Sequence, residues 1–125
     1  MTNPPFDTVA WFQIGSTDPG SAQRFYGGLF GWNFTTNPAI GDAYRFVTYP
    51  TTQAPSGGIL TVDDAKAQHG TFAVMVRDVE ATCARADELG GKVLSPPVTW
   101  PNGLVFADLL DADGNRFMVF SPQTS

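Results

Sequence analysis

The sequence predicts an α+β domain, 1-125, in which two βαβββ modules, 6-62 and 71-122, pair into a curved mixed sheet with their helices outside. A linker over 63-70 joins them. Three observations carry this reading. Asp18-Pro19 and Asp78-Val79 each open a segment of helical spacing, since an aspartate accepts hydrogen bonds from the free amides of a helix start. Gly31 and Gly90-Gly91 close those segments, as glycine tolerates the left-handed turn that ends a helix. The pattern also repeats at about 60 residues, with Asp18 matching Asp78, Leu29 matching Leu89 and Gly31 matching Gly91. Neither module has enough apolar face to close a core alone, so the two must pack together.

In chain order, 9-14 alternates as a strand, with Ala10, Phe12 and Ile14 on one side and Val9, Trp11 and Gln13 on the other. Pro19 suits the first helical position, and Ala22, Phe25, Tyr26 and Leu29 fall on one face, expected to be the buried one. Strands follow over 32-36, 44-49 and 56-62, the last carrying Gly57-Gly58, which permits close approach by a backbone or a ligand. The second module repeats this with strands over 72-76, 92-94, 104-110 and 116-121 and a helix over 79-89. Asp113-Gly114 marks the last hairpin turn.

Composition narrows the function classes. A net charge of −5 with seven scattered Lys and Arg offers no basic stripe, which argues against nucleic acid. No apolar run is long enough to span a bilayer, and Met1-Thr2-Asn3-Pro4-Pro5 has neither a basic nor an apolar export region, so a cytoplasmic protein is expected. The lone Cys83 sits inside a helical pattern and reads as a small buried hydrophobe.

These residues resemble the vicinal oxygen chelate superfamily, which includes glyoxalases, extradiol dioxygenases and bleomycin resistance proteins. The resemblance spans nearly the whole chain. It is carried by Thr17-Asp18-Pro19, by Phe25-Tyr26-Gly27-Gly28-Leu29-Phe30-Gly31-Trp32, by Gly90-Gly91-Lys92-Val93 and by the run from Asp111 to Phe117. It implies the glyoxalase/bleomycin resistance/dioxygenase-like fold and a homodimer. Metal-dependent members hold a divalent ion between their modules with His, Gln or Glu side chains. Counted on the family's spacing, those positions fall here on Trp11, Phe72, the stretch from Gly57 to Ile59, and Met118. None supplies a donor suited to Zn²⁺, Ni²⁺ or Fe²⁺. The resemblance therefore implies no resident metal or other cofactor at these positions. Gln13 and His69 are the two residues that could restore a metal site, although His69 reads as a solvated linker residue.

Without a metal the same positions describe an aromatic, apolar pocket for a small, partly aromatic molecule. Its expected lining is Trp11, Gln13, Arg45, Gly57, Gly58, Phe72, Trp100 and Met118, with Arg45 pairing an anionic group and Trp100 covering the mouth. The plain alternative is that these side chains fill the cleft as core. An enzyme of the same superfamily with an atypical site is the other reading, with Asp108 or Tyr49 as acid or base. Asp108 stands in an otherwise apolar strand, which makes it the carboxylate expected to titrate abnormally.

Overall fold

The computed structural model describes residues 6–101 and 103–122. The start from Met1 to Pro5, and Asn102 within the expected mouth segment, lie outside the described residues. Two compact units divide the chain: 11–70, and 71–122 together with 6–10.

The first unit contains β1 (Thr8–Ser16) from Trp11 onward, with α1 (Pro19–Phe30), β2 (Asn33–Asn37), β3 (Gly41–Thr48) and β4 (Gly57–Thr61). Its strands lie in the order β2-β3-β4-β1. β1 runs parallel to β4, with Gln13 opposite Gly58, and β2-β3 and β3-β4 are antiparallel. The caps are those the sequence predicts. Asp18 accepts from the Ser21 amide at 3.1 Å, and Gly31 is left-handed at φ 73° with its amide donating to the Gly27 carbonyl.

The buried face of α1 differs from expectation. Phe25 and Leu29 are 62% and 59% exposed, and the side turned inward carries Ala22, Gln23, Tyr26 and Gly27. The cause is local. Gly27 packs near the Trp32 carbonyl and the Phe34 ring, and Gln23 Oε1 accepts from Arg45 Nη1 at 2.9 Å, which turns that side of the helix toward the sheet. Beneath it Trp32 gathers Phe12, Tyr26 and Tyr49, with ring centroids 5.4, 5.4 and 5.6 Å away. On the outer side Gly28 faces open space, so a methyl group added there would touch nothing. Gly28→Ala is therefore expected to stabilise the protein by about 0.5–1 kcal/mol, through the better helix propensity of alanine, as read by urea denaturation.

The second unit contains β5 (His69–Met75) from Thr71 onward, its first two residues belonging to 11–70, with α2 (Val79–Glu88), β6 (Lys92–Thr99), β7 (Val105–Leu110) and β8 (Arg116–Ser121). Its order is β5-β8-β7-β6, with β5 parallel to β8 and the other pairs antiparallel. Asp78 caps α2 by accepting from the Ala81 amide at 3.0 Å. One core cluster joins Val76, Val79, Cys83, Ala107, Leu109 and Val119. Cys83 is buried there as the sequence predicts, and burial pushes its thiol above the usual range, which holds it protonated. β6 runs five residues beyond its predicted end at 94, passing through Pro96-Pro97, where the ladder to β7 shifts register. No helix among the described residues is long and apolar enough to cross a membrane.

Candidate functional site

In the unit of 11–70 the strand period sorts side chains cleanly between two faces. Phe12, Arg45, Val47 and Gly57 lie on the α1 face, and Trp11, Gln13, Tyr44, Phe46 and Gly58 on the opposite one. The opposite face carries the candidate site. Trp11 Nε1 donates to Tyr44 Oη at 2.8 Å, while Phe46 meets Trp11 edge-on at 6.0 Å and Tyr44 at 5.1 Å. The result is an aromatic wall whose polar atoms are tied to one another. Tyr44 is 3% exposed, and loss of solvent pushes its phenol up to about 12, against the smaller opposing effect of the Trp11 hydrogen bond.

Beside this wall lies a polar pair. Gln13 is 5% exposed, and its Nε2 sits 3.1 Å from His69 Nε2. The other imidazole nitrogen, Nδ1, lies 2.8 Å from the Ala67 carbonyl. His69 is thus not the solvated linker residue expected from the sequence. It opens β5, and a 3-10 turn over Ala65–Ala67, capped by Asp64, presents the carbonyl that holds it. The imidazole rests on Gly15, where any added Cβ would overlap the ring. Only glycine leaves space for it.

The predicted lining divides accordingly. Trp11, Gln13 and Gly58 come together on one face. Gly58 does not leave room for a ligand, because the Tyr44 ring already occupies the space beside its Cα, and Gly57, on the α1 face, is filled in the same way by Phe12. Arg45 points to α1, bonded to Gln23, rather than toward an anionic ligand. Tyr49 is placed in the aromatic cluster around Trp32, away from Trp11. Tyr44 and Phe46 were not among the expected lining, and His69 was named only as a residue that could restore a metal site. Alternation with Phe46 along 44-49 could have flagged Tyr44, whereas nothing local in the sequence announces the turn that aims His69.

In the other unit Phe72 stacks on Phe117 at 6.0 Å, and both lie on the α2 face with Val74 and Val119. Met118 is buried on the opposite face, in register with Ala73 and Asp108. Phe72 and Met118 therefore do not share a lining. The count back from the helix caps explains the error: seven residues before Asp18 is Trp11, but seven before Asp78 is Thr71, and a slip of one reverses the face. Thr71 donates its hydroxyl to the Arg116 carbonyl at 3.1 Å. Asp108 is paired with Arg116 at 3.3 Å and accepts from Ser95 at 3.4 Å, the arrangement of a structural carboxylate rather than a free base. Trp100 rests edge-on against Phe106 at 5.2 Å.

The donor chemistry does not fit the ion used by metal-dependent relatives of the resembled superfamily. With the register corrected, the positions carry an indole, a threonine hydroxyl already donating, a glycine and a thioether. Among the described residues no three His, Cys, Asp or Glu side chains converge. Gln13 and His69 do meet, but one carboxamide and one imidazole supply too few donors to hold a divalent cation.

Comparison with known proteins gives the geometry a context. A family model described as a glyoxalase-like domain matches residues 11–120. Anthracycline biosynthesis protein DauV of Streptomyces sp. (strain C5) is 36% identical over 118 residues, covering 90% of this chain and 40% of that protein. The chain thus spans about two-fifths of the length of that relative. Among solved structures, hypothetical protein BH1468 from Bacillus halodurans C-125 superposes with a TM-score of 0.67 at 17% identity, covering 94% of this chain and 96% of that one. Methylmalonyl-CoA epimerase from Mycobacterium tuberculosis gives 0.63 at 14% identity, covering 98% and 94%. At such identities the likeness is one of fold.

Proposed function

Because the chain belongs to the glyoxalase-like domain family of the vicinal oxygen chelate superfamily, we propose that it binds a small, planar, partly aromatic molecule without a resident metal ion. The observation that carries this reading is the aromatic wall of Trp11, Tyr44 and Phe46 standing beside the Gln13–His69 pair on one sheet face. Aromatic faces attract a flat ligand through desolvation and stacking, and a buried carboxamide adds a directional hydrogen bond. A relative named for anthracycline biosynthesis supports a planar polycyclic ligand class, since anthracyclines are fused aromatic ring systems. In the same reading the protein works as a homodimer, and a monomer mass by light scattering would remove that part.

The test is calorimetric titration of chelator-treated protein with an anthracycline aglycone. Binding is expected to be unaffected by EDTA. Trp11→Ala is expected to weaken it about tenfold or more, equivalent to roughly 1.4 kcal/mol of lost contact. Absence of binding, or binding that appears only when Zn²⁺, Mn²⁺ or Fe²⁺ is added, would overturn the reading.

A further inference from the structure

His69 determines which way the Gln13 amide faces, and that orientation has a consequence for ligand choice. A carbonyl can only accept, so the 2.8 Å contact with Ala67 places the hydrogen of the neutral imidazole on Nδ1. His69 Nε2 then carries a lone pair, and the group facing it at 3.1 Å must be the Gln13 NH₂. The amide oxygen is thereby turned away from the imidazole. No hydrogen bond from the described residues reaches Gln13 Oε1. Nor is that oxygen sealed off, for the fully enclosed atoms without a hydrogen bond among the described residues are Asp108 Oδ1 and Arg116 Nε. A side chain that is 95% buried therefore keeps one acceptor open, on the face that carries Trp11.

We propose that the His69-locked Gln13 oxygen is a recognition point for a hydroxyl donor, so that the site selects phenol- or enol-type aromatic molecules over those presenting only acceptors. This rests on the binding reading above and deepens it. An acceptor brought to Gln13 Oε1 would meet a lone pair, leaving two polar groups desolvated without a bond, whereas a hydroxyl completes the amide's hydrogen bonding. His69 acts here as a positioning residue. Gly15 is part of the device, because the imidazole could not sit at this depth over any side chain.

His69 is the only histidine in the chain, so its ring nitrogens can be read without assignment ambiguity by long-range ¹H–¹⁵N correlation. The expected spectrum of the neutral ring has a protonated Nδ1 and an unprotonated Nε2. The reverse tautomer would overturn the proposal. Titrations with 2-naphthol and 2-methoxynaphthalene supply the second arm, since the first offers a hydroxyl donor and the second only an acceptor. The wild type is expected to favour 2-naphthol about tenfold. In His69→Ala the amide is free to rotate and offer its NH₂, so 2-methoxynaphthalene should gain affinity and the preference should fall to within about twofold. Equal affinity for the two in the wild type, or an undiminished preference in His69→Ala, would overturn the hydroxyl selection and leave the binding reading standing. If neither compound binds the wild type, the binding reading fails and the selection falls with it.

Discussion

Gly58→Ala is expected to destabilise the protein by about 3 kcal/mol, measured as a shift in urea midpoint, the cost of forcing a methyl group into a filled core. The added Cβ would overlap the Tyr44 ring and stand 2.6 Å from its Oη. Backbone pairing with both Gln13 and Phe46 fixes the glycine from two sides, so it cannot withdraw. Tyr44 is equally confined, at 3% exposure and with its hydroxyl accepting from Trp11. Displacing the ring would break that bond and disturb the aromatic wall, so ligand binding should be lost along with stability. A loss below about 1 kcal/mol would mean that Tyr44 can swing clear and that the wall is softer than its packing implies.

Stability is expected to fall by about 2 kcal/mol between pH 10 and 12 through Tyr44 alone. Its phenol is raised by burial from 10.0 to about 12 in the folded chain, whereas the unfolded chain releases that proton near the ordinary value. Through this interval the folded state holds more protons than the unfolded one, so raising the pH favours unfolding. The contribution is complete below pH 10 and lost as pH rises through about 12. Tyr44→Phe should flatten this segment of the stability curve, and the difference in phenolate absorbance between the two proteins gives the Tyr44 titration directly. Superimposable curves from pH 10 to 12 would contradict the assignment.

The fold was legible in the sequence because its punctuation is local. Asp18, Pro19, Gly31 and Asp78 act on their own neighbouring amides, and β8 begins and ends where its alternation does. The paired βαβββ arrangement followed from the repetition of those signals, and the glyoxalase-like class from the family resemblance that they carry. What failed depended on partners distant in sequence. The inward face of α1 is set by Arg45 and by the close approach at Gly27, which outweigh the apolar spacing of Phe25 and Leu29. Phe72 was assigned to the wrong face by a single step of register, and it stands 43% exposed on the α2 side of the sheet. His69 looked like linker because its partners, Gln13 and Gly15, lie more than fifty residues earlier. Of the expected lining, Trp11, Gln13 and Gly58 share one face, whereas Arg45, Gly57 and Phe72 lie on the helix-covered faces of their units.

β6 stands at the margin of its unit's sheet and carries Pro96-Pro97 at the point where its pairing with β7 slips. Neither proline has an amide hydrogen, so this margin presents a gap where an incoming strand would need donors. That gap works as a guard against runaway polymerisation. Replacing both prolines is therefore expected to make this edge more prone to strand-to-strand association, as read by thioflavin fluorescence.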